Sequence, residues 1–401
     1  MPYTSKPVMA AVHFLVVAAG LAACQGSESS DYTQANGEDH DGYYAAPHPP
    51  YEGDAEQSEQ DEDIWAGADV GSQRYRPGDY NPIYGPAAVQ RARSPETVMK
   101  LHMMTDKGLS GMGAVCLDGS DAGFYFSAAA NSKDWLIHFQ GGGWCYDEKD
   151  CLVRSKGFLG SSKHWPSEMT EGGIMSDDCT ANPDFCNVNR VHLIYCDGNS
   201  FSGNREKPLI RNGSKLYFRG KRIMDAALET LLDMGLDKAE NVLLNGCSAG
   251  GLATFLHADY VSQLLYSKVP SLKKFRAAPI SGMFLLHDTV EGRPVYPTEM
   301  KYIFNLANSS GGVNAGCIEH FAEEDRWKCN FAQYSYAFTT VPIFLLQSAL
   351  DSWQTSCIYT SRLPPKFPNQ QGTGNGDCDA ISSWHECAGS TEQCSDEETK
   401  A

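Results

Sequence analysis

The apolar positions of this chain fall into short continuous runs, each closing in glycine or another turn former, and the runs alternate with stretches of helical period. Trp135-Leu-Ile-His-Phe-Gln140 reads as a strand that runs straight into Gly141-Gly-Gly-Trp-Cys145. Arg190-Val-His-Leu-Ile-Tyr-Cys196 reads as another, ending in the turn-rich run Asp197-Gly-Asn-Ser-Phe-Ser-Gly203. Ile223, Ala227, Leu231 and Met234 recur at helical spacing with Gly235 placed as a C-cap, which predicts an amphipathic helix over 218–234. Residues 242–244 predict a buried strand, 252–260 a helix without Gly or Pro, and 341–347 a last strand. The folded domain is expected to begin just after Pro95, where 98–104 opens the apolar pattern. Continuous apolar strands separated by helices predict an α/β fold, a mostly parallel central sheet with helices on both faces.

Between the 242–244 strand and the following helix, Gly246-Cys247-Ser248-Ala249-Gly250 fits G-x-S-x-G. In that motif a tight strand-to-helix turn lifts a serine above the sheet, and its glycines are needed because a Cβ would clash there. Ser248 is therefore the candidate nucleophile. In a chain with 38 glycines the five positions alone say little, and the strand before and helix after supply the required context. The 141–144 loop can aim backbone N–H groups at the oxyanion that serine acyl transfer develops; a tight loop stapled by Cys145 and Cys151 is the other reading. Asp351 follows the 341–347 strand, where this order places a triad acid, although Asp there also suits a helix N-cap or a surface turn. Sites in such sheets form beyond the carboxyl ends of the strands, where Gly143, Ser248 and Asp351 all fall. The order Ser, acid, His leaves only His385 downstream, in a segment of Gly, Asn, Gln and Cys that resembles a stapled surface loop. His138 and His192 sit inside strands and His257 on the helix behind the serine, so packing is their expected work.

Composition changes the picture at the N-terminus. Lys6 and an apolar run from 8 to 23, closing in Gly20-Leu-Ala-Ala-Cys24, have the parts of a secretory signal. Leu21-Ala-Ala-Cys24 also fits a bacterial lipobox, with Cys24 as a lipidated first residue. The run is short for a membrane span and acidic sequence follows it, which favours cleavage. Residues 25–69 hold 13 Asp or Glu and no Lys or Arg, and predict a disordered acidic tether. With those charges and Lys6 removed, the net charge of −18 becomes −6 for 70–401. Such a domain has no electrostatic footprint for nucleic acid or anionic membranes, and a polyanionic substrate would need a local basic patch. Thirteen of the 14 cysteines follow the signal region and predict a disulfide framework in an exported protein rather than a zinc site, since no C-x-x-C occurs. Cys145 with Cys151, Cys179 with Cys186, and Cys387 with Cys394 are spaced like local loop staples. The odd count leaves one free thiol or a partner elsewhere. Cys247 is expected to be structural, because the motif presents its third position.

Several longer runs resemble one family. Phe139-Gln-Gly-Gly-Gly-Trp-Cys145, Phe158-Leu-Gly-Ser-Ser162, Asn182-Pro-Asp-Phe185, Tyr195-Cys-Asp-Gly-Asn-Ser-Phe-Ser-Gly203, Tyr217-Phe-Arg-Gly220, Asn245-Gly-Cys-Ser-Ala-Gly-Gly-Leu252 and Asp351-Ser-Trp-Gln354 are similar to the pectin acetylesterase family, which also contains the Wnt-deacylating Notum enzymes. The resemblance covers about 98–394, in family order. It implies an extracellular carboxylesterase of α/β-hydrolase type, with Ser248 as nucleophile, Asp351 as triad acid, and the N–H groups of Gly143, Trp144 and Ala249 as oxyanion hole. The wording is nearer the plant-type pectin enzymes than Notum at Cys247-Ser248 and Tyr195-Cys-Asp-Gly198.

In that family a Trp-x-x-Cys, with a second Cys seven residues on, lies after the triad acid and before the segment that carries the histidine. Trp384-His-Glu-Cys387 with Cys394 matches it, so the resemblance aligns His385 with a structural loop. It then puts the catalytic histidine, with a C-terminal helix and strand, outside this sequence, and a serine without a positioned base is a poor nucleophile. The expected organisation is a signal over 1–24, the tether over 25–95 and a carboxylesterase domain over 96–401, truncated at its C-terminus. The expected function is a secreted or cell-wall serine esterase that removes acetyl groups from pectin-like polysaccharide, needing no metal, no cofactor, no nucleic acid and no stable protein partner. The alternatives are an inactive binding protein of the same fold and a Notum-like deacylase of another acyl ester.

Overall fold

The computed structural model describes residues 97–349 and 351–361. The signal, the tether and the His385 loop lie outside the described residues. The strands are β1 (Thr97–Met103), β2 (Gly123–Ser127), β3 (Asp134–Phe139), β4 (Glu168–Glu171), β5 (Asn189–Leu193), β6 (Leu209–Arg211), β7 (Ser214–Leu216), β8 (Asn241–Cys247) and β9 (Lys274–Ile280). The helices are α1 (Glu148–Arg154), α2 (Gly220–Asp233), α3 (Ala249–Lys268), α4 (Val295–Leu306), α5 (Ala315–His320), α6 (Ala332–Ser335) and α7 (Ser352–Gln354).

One sheet has the order β4-β1-β2-β5-β3-β8-β9, and β6 and β7 form a separate hairpin. The pairings β4/β1, β1/β2 and β2/β5 are antiparallel. From β5 onward the sheet is parallel, through β3 and β8 to β9. The parallel half contains the three apolar runs read as strands, and its carboxyl ends carry the candidate site. Side chains alternate along β3, so Trp135, Ile137 and Phe139 share one face. On that face His257 of α3 meets Phe139 with ring centroids 6.0 Å apart, and Lys221 of α2 lies 3.6 Å from the Tyr260 ring of α3. On the other face the buried Arg190 of β5 donates to the carbonyls of Ser176, Phe185, Cys186 and Val188, which ties down a segment itself stapled by Cys179–Cys186.

The helix predicted over 218–234 is α2, with Ile223, Ala227 and Leu231 buried as its period requires. α3 is buried almost all round over its first half, as its uniformly apolar residues demand. The strand predicted over 341–347 forms only in part. Ile343 and Leu346 make isolated parallel bridges to Ala277 and Ile280. Ala277 donates to the Pro342 carbonyl, Phe344 to Ala277, Leu346 to Pro279 and Ser281 to Leu346. The next rung of such a ladder would be an N–H of residue 279 donating to Phe344, and Pro279 has none. The proline splits what sequence reads as one strand into two bridged points.

The disulfides Cys116–Cys196, Cys145–Cys151, Cys179–Cys186 and Cys317–Cys329 are formed, and Cys247 and Cys357 are disulfide-bonded as well. Among the described residues no cysteine is free, so the spare thiol expected from the odd count is not among them. No helix among them is long and apolar enough to cross a membrane.

Candidate active site

β8 ends at Cys247 and α3 begins at Ala249, so Ser248 is the whole connection between them. It sits at φ 57° and ψ −125°, a left-handed conformation that non-glycine residues hold only under constraint. The flanking glycines supply that constraint. A Cβ on Gly246 would lie 2.3 Å from the Gly250 carbonyl oxygen, and one on Gly250 would lie 2.0 Å from that of Phe139. The chain therefore turns where β3, β8 and α3 are closest, and Ser248 N–H donates to Ile280 O at 3.0 Å. Ser248 stays partly exposed while its neighbours Cys247 and Ala249 are buried. Ala249 opens a 20-residue helix, whose first N–H groups have no partner within it and present the positive end of its dipole.

The loop after β3 passes beside this turn. A Cβ on Gly141 would lie 3.1 Å from Ser248 Cβ. Gly142 and Gly143 follow at φ 128° and 60°, so two successive peptides turn in a way that side-chain-bearing residues resist. A Cβ on Gly143 would meet no atom within 4 Å; the loop is open there. Cys145–Cys151 closes the far end, and α1 begins with Asp147 accepting the Asp150 N–H at 2.8 Å. The stretch is a stapled loop, and its first glycine lies against the serine.

A second loop clamps the first. Tyr195 Oη donates to Gly143 O at 2.8 Å and accepts the Ser200 N–H at 2.9 Å. Trp144 Nε1 donates to Ser200 Oγ at 2.8 Å, and Cys145 N–H to Gly198 O at 3.2 Å. Ser200 and Phe201 take φ of 49° and 57°, held by the buried Asp197, whose carboxylate accepts the N–H groups of Asn199, Phe201 and Gly203. Burial pushes the Asp197 carboxyl up from its ordinary value and those N–H groups oppose the push. The sequence marks 195–203 as a turn-rich loop; its grip on the 141–144 loop was not legible, because two consecutive non-glycine residues at positive φ leave no compositional signal.

Asp351 follows the bridged segment after β9. It caps α7: Oδ1 accepts the Gln354 N–H at 2.9 Å, and Oδ2 accepts Gln347 Nε2 at 3.1 Å. Burial raises its pKa, against hydrogen bonds from Gln354, Trp353 and Gln347 that lower it. The helix-cap reading of Asp351 thus holds in the structure. Asp351 is joined to the serine loop through Trp353, two residues on, whose ring lies 5.5 Å from that of Trp144, centroid to centroid. Phe284 and Tyr296 complete the cluster, at 4.8 and 5.9 Å from Trp144.

The structure thus places Gly141 against Ser248, with Gly143 and Trp144 further along the same loop, Ala249 next to the serine, and Asp351 two residues from Trp353, whose ring meets that of Trp144. His385 lies outside the described residues. His138 and His257 are packed in the core, and burial lowers the pKa of each to about 3, so both are neutral. His138 Nδ1 is 3.1 Å from Asn245 Oδ1, and His192 Nδ1 is 2.8 Å from Glu171 Oε1. Among the described residues no group of three His, Cys, Asp or Glu side chains is arranged to hold a metal.

Comparison with known proteins gives a coherent set. The family model described as Pectinacetylesterase matches residues 92–401. Pectin acetylesterase 5 of Arabidopsis thaliana is 34% identical over 320 residues, covering 78% of this chain and 69% of the relative. Three further Arabidopsis pectin acetylesterases are covered over about 60% of their length. Palmitoleoyl-protein carboxylesterase notum1 of Xenopus laevis is 31% identical over 281 residues, 67% of this chain and 54% of that protein. The solved structure of the Wnt deacylase Notum from Drosophila superposes with a TM-score of 0.58 at 27% identity, over 64% of this chain and 73% of that one.

Proposed function

The chain belongs to the pectinacetylesterase family, and from that premise we propose that it is a carboxylic ester hydrolase that works through an acyl-enzyme on Ser248. The observation that carries this reading is Ser248 at φ 57° between β8 and α3, with Gly141 packed against its Cβ. A serine held in that conformation presents its hydroxyl above the sheet beside two sources of N–H donors, the 141–144 loop and the first turn of α3. Gly143, Trp144 and Ala249 N–H would receive the oxyanion, and Asp351 would act as the triad acid, orienting a histidine. We propose acetylated, pectin-like polysaccharide outside the cell as the substrate, in line with the Arabidopsis relatives' names and the disulfides formed here.

The acyl group is proposed to be short. Trp144, Phe284, Tyr296 and Trp353 pack ring on ring at the oxyanion loop, and the first three are almost wholly buried. Interlocked rings fill volume that a long acyl chain bound along Trp144 would occupy. The test is release of acetate from acetylated pectin set against hydrolysis of butyryl and octanoyl esters. Acetyl should be preferred; an octanoyl preference would move the reading to the Notum-like deacylase. Trp353→Ala opens the cluster from its least buried member, and should raise the octanoyl-to-acetyl ratio of kcat/KM by roughly tenfold or more, the scale of a few methylenes in an apolar pocket.

His385 is assigned by the family order to a loop, not to catalysis. His385→Ala is therefore expected to leave kcat on p-nitrophenyl acetate within about threefold of the parent, whereas loss of a triad base costs on the order of 10³-fold or more. A drop of the second size makes His385 the base.

A further inference from the structure

The Tyr195 hydroxyl sits where a glycine-rich loop is easiest to misset. The Gly143–Trp144 peptide is planar and trans, so its C=O and its N–H point in opposite directions. Gly142 and Gly143 lack the Cβ that would resist rotation of that unit. Turned over, it would bring the Gly143 carbonyl oxygen to the side its N–H partner now faces, and an oxygen there repels a developing oxyanion. Tyr195 Oη, 2.8 Å from Gly143 O, holds the carbonyl edge. The opposite edge, Trp144 N–H, then faces away from Tyr195.

The phenol is itself fixed. Its ring packs against Phe201, at 5.3 Å, and the Arg154 guanidinium, at 4.9 Å. Its backbone N–H donates to Gln140 Oε1 at 2.9 Å, and its hydroxyl oxygen accepts the Ser200 N–H, which leaves the hydroxyl hydrogen for Gly143. Burial raises the phenol pKa well above its ordinary value, so the group stays a donor across the working range of pH. Ser200 Oγ takes the Trp144 indole N–H at 2.8 Å, a second hold on the same loop.

Resting on the assignment of Trp144 N–H to the oxyanion hole, we propose that Tyr195 and Ser200 are positioning residues: together they buckle the 141–144 loop with its N–H toward the reacting carbonyl. Neither is hydrogen-bonded to Ser248. Their effect falls on the transition state, where the oxyanion exists, and little on the ground state.

Two variants of the full chain test this. Tyr195→Phe removes one oxygen, and Ser200→Gly removes the indole acceptor at a φ of 49° that glycine adopts without strain. Active sites are counted by the burst of p-nitrophenol, so that a loss of folded protein does not enter kcat. Per titrated site, Tyr195→Phe should lower kcat by about 10–100-fold and Ser200→Gly by about fivefold, with KM within about threefold, somewhat less than deletion of an oxyanion donor. Affinity for an aryl trifluoromethyl ketone, which forms the oxyanion on the serine, should weaken by the same factor as kcat in each variant. A merely structural role would move the count of sites and neither of these. If Tyr195→Phe yields no folded protein, Ser200→Gly alone decides. A per-site kcat within twofold of the parent in either folded variant overturns the inference. Ser248→Ala separates the two levels: activity surviving there removes the nucleophile assignment, whereas an inactive Ser248→Ala beside an unaffected Tyr195→Phe removes only the buckle.

Discussion

With a triad histidine in place, Ser248→Ala is expected to lower kcat/KM on p-nitrophenyl acetate by roughly 10⁴–10⁶-fold, the size of effect seen when a serine nucleophile is deleted beside its base. Its melting temperature should stay within a few degrees of the parent, because alanine keeps the Cβ and with it the same backbone strain. Ser248→Gly should be equally inactive and yet more stable than Ser248→Ala by about 1 kcal/mol, since glycine adopts φ 57° without the cost borne by other residues. Thermal unfolding of the two inactive variants side by side isolates that strain. A residual rate near that of the parent in either places the nucleophile elsewhere, and equal stability of the two shows that the turn is relaxed.

Acidification from about pH 7.5 to about pH 5 should destabilise the fold through two buried histidines. His138 and His257 are buried, and burial is the main cause that lowers the pKa of each to about 3, with His192 facing the first and Lys221 the second. An ordinary unfolded histidine titrates near 6.5. Their folded values lie below the unfolded one, so their contribution is complete above about pH 6.5 and is lost as the unfolded chain takes up protons that the folded chain refuses. By pH 5 each histidine costs about 2 kcal/mol, or about 4 kcal/mol for the pair. Urea unfolding at pH 7.5 and pH 5 measures this. His257→Leu, close in volume and uncharged, should remove about half of the difference; an unchanged slope would mean that His257 is protonated inside the fold.

The parts of this fold that were legible in the sequence are those where one segment decides its own structure. The apolar runs of β3, β5 and β8 and the period of α2 are local properties, and G-x-S-x-G implies a sharp turn because two glycines are needed where three elements touch. Residues 341–347 look like a strand by the same criteria, yet the partner strand decides the outcome: Pro279, more than sixty positions earlier, withholds the amide that would have joined the two bridges. At Asp351 the sequence alone allows a helix cap or a site acid, and the structure shows the cap, with burial that raises its pKa as well. The grip of Tyr195 on Gly143 depends on two loops 52 residues apart, which no periodicity records.

Three disulfides reach the three segments that make up the proposed site. Cys145–Cys151 closes the loop that holds Gly143, Cys116–Cys196 fixes the residue next to Tyr195, and the cystine at Cys247 adjoins Ser248 itself. A chain still in a reducing compartment has none of these straps and holds its serine, its donor loop and its buckle by non-covalent forces alone. Completion of the proposed site is thereby coupled to formation of those three disulfides, and a reductant should loosen all three segments at once.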